Sequence, residues 1–363
     1  MKKVQLGRTG QYVSQVSLGC MTMGTSTDEP MSARILDAYL DAGGDFLDTA
    51  NCYAWWAGEQ FAGGESESLL GKLLRGRRDR VFLATKVAAG ITDLPAARAA
   101  SRPDGTTDWA ARERTYEGAS AAVIQREAEA SLRRLGTDHI DLYYVHVDDR
   151  TTPLEETLSA LDGLVRSGKV RYIGWSNVRT WRLERIRSLA LANGWAPPVA
   201  VQMQHSYLRP TGADVPSIAG GELLDWLSLH PDVSLAAYSS LLRGIYDDAA
   251  YRESTRIWRS YAGPDSEARL AAVAKVASDL GASGNQVALA WLVHKGVIPL
   301  IGPRTWEHYE SIAPAFTLEL PEAHLSILDN ALISPAGAVP WRRRRLPREC
   351  PLRASHRSGS GGS

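Results

Sequence analysis

The chain has 363 residues, 44% of them hydrophobic, and 41 basic side chains against 41 acidic ones. A chain of this length and composition can bury a large core as one domain, since α/β barrels commonly exceed the usual domain length. The residues from position 341 onward hold seven arginines and one glutamate, so the rest of the chain has 34 Lys and Arg against 40 Asp and Glu. That charge of −6 argues against a nucleic-acid-binding surface.

The N-terminus and the cysteines indicate a cytoplasmic protein. Gly7-Arg8-Thr9-Gly10 stands where a signal peptide would need an apolar stretch, and no later segment reads as a membrane span. The cysteines, Cys20, Cys52 and Cys350, are few and scattered, which suits a reducing compartment and lacks metal-ligand spacing. We therefore expect no disulfide, no metal site and no membrane association. For Cys52, a packing role is favoured over a redox-sensitive thiol.

Short β-like runs alternate with amphipathic stretches, which predicts repeated βα units around a parallel sheet. A hairpin at about 3–13 is expected to close the floor of a barrel. Eight core strands are predicted at about 15–19, 45–48, 81–85, 140–145, 170–174, 199–203, 234–237 and 297–300. Helices are predicted at about 31–43, 65–75, 119–135, 153–167, 180–193, 221–229, 267–281, 285–295 and 305–313. The predicted fold class is α/β, a (β/α)8 TIM barrel forming a single domain over residues 1–335.

Some element ends are marked by their residues. Thr151 and Thr152 before Pro153 predict an N-cap and a first helical turn, whereas Gly136 and Gly168 predict helix C-caps.

Three long connections and a tail interrupt the regular pattern. The connections 88–118, 205–220 and 239–266 all follow strands, so they are expected to lie on the catalytic rim and shape a substrate pocket. Residues 336–363 read as a disordered basic tail with a Gly/Ser end. Its run of arginines, Arg342 to Arg345, could bind an acidic partner, but a solvated tail is favoured.

Four side chains lie at or just past the ends of apolar runs: Asp48, Tyr53, Lys86 and His146. The carboxyl ends of parallel strands meet at one rim of a barrel, so these side chains are expected to meet there. The segments Asp48-Thr49-Ala50, Tyr53, Thr85-Lys86 and Val145-His146 resemble the catalytic tetrad of the aldo-keto reductases in both residue type and spacing.

Other stretches resemble the same family between about residue 4 and about residue 330. They are Gly-Glu-Ser-Glu at 64–67, Ser131-Leu132-Arg133-Arg134-Leu135, Gly168 to Asn177, Tyr238-Ser239 and Ile301-Gly302-Pro303-Arg304. The resemblance implies reduction of a carbonyl, which needs hydride delivered to carbon and a proton delivered to oxygen.

The four side chains suit that chemistry. A free tyrosine has a pKa of about 10, and we expect the Lys86 ammonium to lower the pKa of Tyr53 by favouring phenolate. Asp48 is expected to pair with Lys86 and keep it charged. Tyr53 would then be the general acid in reduction. His146 would donate a hydrogen bond to the substrate oxygen, with a protonation state that the sequence leaves open.

The chain has no Gly-x-Gly-x-x-Gly after a strand, so a Rossmann dinucleotide site is not predicted. The family resemblance instead implies a nicotinamide dinucleotide across the barrel mouth, with NADPH preferred and NADH not excluded. Ser176, Asn177 and Gln202 resemble the residues that hold the carboxamide, and Tyr238 resembles the aromatic that stacks on the nicotinamide.

The adenosine end of the cofactor is matched less closely. Arg304, at the start of the last barrel helix, has the charge and geometry to bind a 2′-phosphate, with neighbouring backbone amides adding to the anion site. At His308, Ser311 and Ile312 this chain departs from the residues of many relatives. The remaining implied cofactor residues are Ser239, Leu241, Gly302 and His308.

Aromatic and sulfur-bearing side chains on rim segments predict a substrate wall suited to aromatic rings or sugar faces. The candidates are Met21, Trp55, Trp56, Trp109 and Tyr207. Any one of them could instead be a packing residue.

Two functions remain open on the sequence. The leading hypothesis is an NADPH-dependent oxidoreductase that reduces a small aldehyde or ketone to an alcohol. The alternative is a regulatory or redox-sensing binding protein on the same scaffold, since fold alone does not decide function. The oligomeric state is left open, a homo-oligomer included.

Overall fold

The computed structural model describes residues 1–102, 106–211 and 217–331. Its centre is a closed barrel of eight parallel strands in the order β10-β3-β4-β5-β6-β7-β8-β9. The strands of the chain are β1 (Lys3–Gln5), β2 (Tyr12–Ser14), β3 (Ser17–Gly19), β4 (Phe46–Asp48), β5 (Phe82–Val87), β6 (Ile140–Val145), β7 (Val170–Ser176), β8 (Pro198–Gln204), β9 (Ser234–Tyr238) and β10 (Ile298–Ile301). The predicted (β/α)8 barrel is therefore confirmed, with all eight core strands at their expected places.

Helices surround the barrel. They are α1 (Glu29–Asp41), α2 (Glu65–Leu73), α3 (Leu94–Ala99), α4 (Trp109–Glu113), α5 (Ala121–Leu135), α6 (Leu154–Arg166), α7 (Thr180–Asn193), α8 (Gly221–Leu229), α9 (Ala249–Ser254), α10 (Pro264–Leu280), α11 (Gly284–His294), α12 (Trp306–Ile312) and α13 (Glu322–Asp329). Short 3₁₀ turns lie at Arg78–Arg80, Leu242–Gly244, Ile257–Ser260 and Ala313–Phe316. None of the helices in the described ranges is long and apolar enough to cross a membrane.

The hairpin of β1 and β2 covers the N-terminal end of the barrel. Leu6 and Val13 are buried in one cluster with apolar residues that line the barrel interior, and the Gly7 amide donates to Ser234 Oγ at the start of β9. A Cβ on Gly7 would lie 2.3 Å from the Asp232 carbonyl oxygen. This close approach, at a φ of +53°, requires glycine.

The long connections contain more helix than the sequence predicts. The connection 88–118 holds α3 and α4, and the connection 239–266 holds α9. Asp93, Asp108 and Asp248 each cap one of these helices with a carboxylate that accepts from a backbone amide. Helices of five or six residues carry too little apolar periodicity to be recognised beforehand. The predicted tail, 336–363, lies outside the described residues.

The helix-end predictions hold for the two glycines and fail for the N-cap. Gly136 ends α5 in the left-handed conformation with φ 62°, and Gly168 follows α6 with φ 76°. The predicted N-cap of α6 is wrong, because the hydroxyls of Thr151 and Thr152 both donate to the Asp149 carboxylate at 2.6 Å. The helix instead begins after Pro153, with no side-chain cap.

The strand register places the predicted chemistry at one end of the barrel. Asp48, the last residue of β4, pairs with Ala84 of β5, and Lys86 pairs with Tyr144 of β6. His146 follows β6 directly, and its amide donates to the Val87 carbonyl. These residues therefore converge at the carboxyl ends of adjacent strands, where barrels of this type carry their sites.

Helix α2, which follows Tyr53 in the same connection, packs on α5 at a glycine. A Cβ on Gly71 would lie 2.2 Å from the carbonyl oxygen of Arg134. Gly163 is also inside a helix, α6, but a Cβ added there would meet no atom within 4 Å. Replacing Gly163 by alanine therefore changes only the helix propensity, whereas replacing Gly71 also disturbs the packing of two helices.

We predict that Gly71→Ala lowers the free energy of unfolding by about 1–3 kcal/mol, because the added methyl forces the two helices apart. Gly163→Ala should raise it by up to about 1 kcal/mol, since alanine favours the helix and meets no neighbour. Urea titration followed by circular dichroism measures both. Equal effects of the two substitutions would contradict the packing argument.

Candidate active site

Strained backbone marks the rim at the carboxyl ends of the strands. Outside glycine, the described residues have six positive φ angles, and all six lie in the connections after β4, β5, β7 and β9. Such conformations cost free energy and persist where the surrounding structure enforces them, often at functional sites. The residues are Ala54, Ala88, Asn177, Ser239, Leu242 and Arg243.

At this rim a buried lysine is bonded on all three of its donors. Lys86 Nζ lies 2.5 Å from Asp48 Oδ1, 2.7 Å from the Thr49 carbonyl oxygen and 2.9 Å from Tyr53 Oη. The Lys86 side chain is fully buried and that of Asp48 is 2% exposed. An ammonium has three N–H groups, so no donor is left unsatisfied. The ion pair thus compensates for the removal of both charges from water.

The Asp48 carboxylate is fixed from its second oxygen as well. Gln202, in β8, donates from Nε2 to Asp48 Oδ2 at 2.8 Å, and Gln202 is itself buried. This bond crosses the barrel mouth from β8 to β4 and fixes the orientation of the Gln202 amide. With Nε2 donating to Asp48, the other end of that amide is an acceptor oxygen.

The Tyr53 phenol is held protonated. Burial raises the pKa of Tyr53 well above its usual value, and the nearby Asp48 carboxylate acts in the same direction. The expectation of a lowered pKa for Tyr53 is therefore wrong. The Lys86 ammonium does donate to the phenol oxygen, but desolvation and the Asp48 charge outweigh it. The Tyr53 phenol therefore keeps its proton at neutral pH.

His146 is held neutral. Burial lowers the pKa of His146 well below its usual value, and the positive charge of Lys86 lowers it further. Its ring meets the Tyr53 ring edge to face, with centroids 5.6 Å apart. Nδ1 of His146 lies 3.5 Å from Cys52 Sγ. An uncharged imidazole thus lies beside a protonated phenol, both with part of their surface open.

Asn177 links three strand ends next to this pair. Its side-chain amide donates to the His146 carbonyl at 2.9 Å and to Ser176 Oγ at 3.1 Å. The Tyr238 hydroxyl donates to Asn177 Oδ1 at 2.8 Å. The predicted carboxamide-binding residues Ser176, Asn177 and Gln202, together with Tyr238, therefore lie on one arc of the rim, after or within β7, β8 and β9.

A second buried carboxylate supports β5 from outside the barrel. Glu67, in α2, is fully buried and accepts from Thr85 Oγ1 at 2.5 Å and from Arg134 Nε at 2.6 Å. Thr85 precedes Lys86, so the contact anchors α2 and α5 to the strand that carries the lysine. The sequence resemblance flagged Gly-Glu-Ser-Glu and the Arg134 segment without assigning this contact.

The loop after Tyr53 is held by one arginine. Arg98 Nη2, from α3, lies within 3.3 Å of four carbonyl oxygens, those of Trp55, Gly58, Glu59 and Phe61. This fixes the loop although it has no regular secondary structure. No sequence signal identified Arg98, because its partners are backbone atoms that any residue would supply.

The predicted substrate residues divide into two groups. Met21, Trp56 and Trp109 are exposed, at 39%, 48% and 58%, and Trp56 packs edge to face on Tyr53 with centroids 6.2 Å apart. Trp55 is buried behind the loop and packs against Trp56, with the Arg112 guanidinium 5.1 Å from its ring. Trp55 therefore supports the wall rather than facing an open mouth.

Tyr207 is not part of the wall. Its ring is buried against Trp291, with centroids 4.9 Å apart, and its hydroxyl donates to the Leu328 carbonyl at 2.8 Å. The prediction was wrong because a residue shortly after a strand can turn either toward the mouth or back under the outer helices. Only the path of the chain after β8 decides this.

The remaining candidate cofactor residues follow β9 and β10 at the mouth. Arg304, Gly302 and His308 are exposed at and after the end of β10. Ser239 is exposed directly after β9, and Leu241 is partly buried in the same loop. Within the described ranges no cluster of three or more His, Cys, Asp or Glu could hold a metal ion.

Comparison with known proteins agrees with this geometry. The Aldo/keto reductase family model matches residues 15–333. The chain is 35% identical over 348 residues to the uncharacterized oxidoreductase YrpG of Bacillus subtilis (strain 168), covering 94% of this chain and 98% of that protein. It is 29% identical over 354 residues to an NADP(+) aryl-alcohol dehydrogenase of Phanerodontia chrysosporium, covering 89% of this chain and 83% of that one.

A solved structure gives the same result. The crystal structure of the thermostable aldo-keto reductase Tm1743, in complex with the inhibitor epalrestat, superposes with a TM-score of 0.64 at 26% identity. The match covers 91% of this chain and the whole of that one. The family model covers nearly the full chain, and the barrel mouth brings together the phenol, ammonium, carboxylate and imidazole that the sequence predicted there. This protein therefore belongs to the aldo-keto reductase family.

Proposed function

We propose that this protein is an NADPH-dependent reductase of aldehydes or ketones, with Tyr53 as the proton donor. The observation that carries the proposal is the Tyr53 hydroxyl itself, which lies 2.9 Å from the Lys86 ammonium and beside the neutral ring of His146. A small-molecule carbonyl at the mouth could reach both side chains. NADH is the alternative cofactor.

The residues at the mouth fit a nicotinamide dinucleotide. Gln202 has an amide oxygen and Asn177 a polar side chain for a carboxamide, while Tyr238 offers a ring beside them. Arg304 is exposed, with the charge and forked geometry to bind a 2′-phosphate. When bound, the cofactor supplies the hydride.

The protein's own side chains handle the oxygen of the substrate. As negative charge develops on that oxygen, neutral His146 donates a hydrogen bond to it. Tyr53 then transfers its proton to the oxygen, because an alkoxide is far more basic than a phenolate. The phenolate left behind faces the Lys86 ammonium, and Asp48 and Gln202 keep that ammonium in place. In the oxidation direction the same phenolate is the base.

The aromatic rim favours substrates with a flat apolar face. Trp56 and Trp109 are about half exposed, and Trp56 contacts Tyr53 directly. An aryl-alcohol dehydrogenase that uses NADP(+) is among the relatives. We therefore propose aromatic aldehydes as the first substrate class to test, with aliphatic ketones and keto-sugars beside them. Steady-state NADPH oxidation with this panel tests the proposed function, and turnover below about one per second on every substrate would favour the redox-sensing alternative.

We predict that Tyr53→Phe lowers the reduction rate by about 100-fold or more, because the proton donor is lost. Cofactor affinity should change little, since the phenol hydroxyl is bonded to Lys86 and the ring remains. Tyr143→Phe is the matched control, because the buried Tyr143 hydroxyl has no hydrogen-bond partner in the described part of the chain. Single-turnover stopped-flow measures hydride transfer, and an unchanged rate in Tyr53→Phe would refute the assigned role.

The raised pKa of Tyr53 predicts a pH profile. Reduction needs the protonated phenol, so its rate should stay constant between about pH 6 and 9. Oxidation needs the phenolate, so its rate should rise by about tenfold per pH unit across the same range. Single-turnover rates in both directions, measured with saturating cofactor, check this. A reduction rate that falls through an apparent pKa near neutrality would contradict it.

The cofactor preference is tested at Arg304. We predict that Arg304→Ala weakens NADPH binding by roughly tenfold, because one charge-assisted contact to the 2′-phosphate is lost at an exposed site. NADH lacks that phosphate, so its affinity serves as the internal control and should change less than about twofold. Fluorescence titration of both cofactors gives the two dissociation constants. If NADPH and NADH binding weakened equally, Arg304 would not be a 2′-phosphate ligand.

A further inference from the structure

The ring nitrogen Nδ1 of His146 has one side-chain hydrogen-bond partner in the described ranges, the thiol of Cys52. The Sγ to Nδ1 distance is 3.5 Å, and Cys52 is only 6% exposed. Cys52 directly precedes Tyr53, so one short turn after β4 supplies both the proposed proton donor and the thiol that contacts the imidazole. Cys52 takes no part in the proposed proton transfer itself.

The chemistry of the two groups allows the thiol to be the donor in this hydrogen bond. A neutral imidazole carries one N–H and one acceptor nitrogen, and the partner of one nitrogen decides which of them holds the proton. A thiol is both a weak donor and a weak acceptor, so the strength of the bond alone does not decide which group donates. Burial raises the pKa of Cys52 to about 12, so the thiol keeps its proton. The protonated thiol can therefore donate to Nδ1.

The consequence concerns the other nitrogen. If Nδ1 accepts from the thiol, the ring proton is on Nε2, which can then donate to a substrate oxygen. If Nδ1 carried the proton, Nε2 would present a lone pair to that oxygen and repel it. Burial and Lys86 keep the ring uncharged. Nδ1 and Nε2 therefore cannot both carry a proton, and the tautomer decides whether Nε2 can donate.

We propose that Cys52 is a positioning residue that sets the tautomer of His146: its thiol donates to Nδ1 and thereby keeps the proton on Nε2, facing the substrate oxygen. The proposal deepens the proposed carbonyl reduction and rests on it for its catalytic meaning. It does not require any redox chemistry of the thiol.

A packing role is the competing explanation. Cys52 lies in a small apolar cluster with Ala50, Trp55, Ala89 and Ala97 behind the Tyr53 loop. A truncation could therefore impair the enzyme merely by leaving a void. The test must separate loss of the donor from loss of volume. Cys52→Ala removes the donor, whereas Cys52→Ser keeps a hydroxyl donor at nearly the same size.

The first measurement is the tautomer itself, read from the ¹⁵N NMR signals of the histidine rings in the whole protein. Comparison with His146→Asn assigns the His146 signals. We expect the proton on Nε2 in the wild-type protein, a shift toward a mixture of tautomers in Cys52→Ala, and the wild-type pattern in Cys52→Ser. A proton on Nδ1 in the wild-type protein overturns the proposal, even where a variant fails to fold.

The second measurement is kinetic. Loss of one neutral hydrogen bond that selects the tautomer should lower kcat/KM of Cys52→Ala by roughly three- to tenfold. Cys52→Ser should stay within about twofold of wild type, because its hydroxyl can donate to the same nitrogen. Equal losses in both variants, or an unchanged tautomer in Cys52→Ala, overturn the proposal in favour of packing. The NMR measurement needs no turnover, so it tests the role of Cys52 independently. Absence of reductase activity on every substrate would refute the proposed function and leave the tautomer result unchanged.

Discussion

The buried ion pair of Lys86 and Asp48 is the interaction on which the site depends. Taking both charges out of water is expensive, and the protein recovers that cost only because every donor and acceptor has a partner. Lys86 contacts a carboxylate, a backbone carbonyl and a phenol, while Asp48 also accepts from Gln202. Removing either charge would leave the other buried and unpaired, so the pair constrains the packing of β4, β5 and β8 together.

This pair also sets the state of the two neutral groups beside it. The net charge of the pair is zero, but its carboxylate and its ammonium shift the pKa values of different neighbours. The Asp48 carboxylate and burial keep Tyr53 protonated, whereas burial and the Lys86 ammonium keep His146 uncharged. A phenol with a proton to give and an imidazole with one N–H therefore stand side by side. The proposed carbonyl reduction uses this combination in its ground state, with the ammonium positioned to stabilise the phenolate afterwards.

Support for the site comes from contacts that do not touch the mouth. Glu67 ties α2 and α5 to the strand of Lys86, and Arg98 fixes the loop after Tyr53 through four backbone carbonyls. The close approach at Gly71 allows α2 to lie against α5. These contacts come from α2, α3 and α5, so the rim is supported by helices outside the barrel.

The sequence by itself determined the barrel and predicted which side chains meet at its rim. Alternating β and α patterns, with polar residues at strand ends, place Asp48, Lys86 and His146 at the same rim in any parallel barrel, because strand direction alone fixes that. Tertiary structure decided what depends on distance and burial: the raised pKa of Tyr53, the core position of Tyr207, the short helices of the long connections, and the contact of Cys52 with His146. These follow from how far a side chain is removed from water and which atoms surround it, and linear order contains neither quantity.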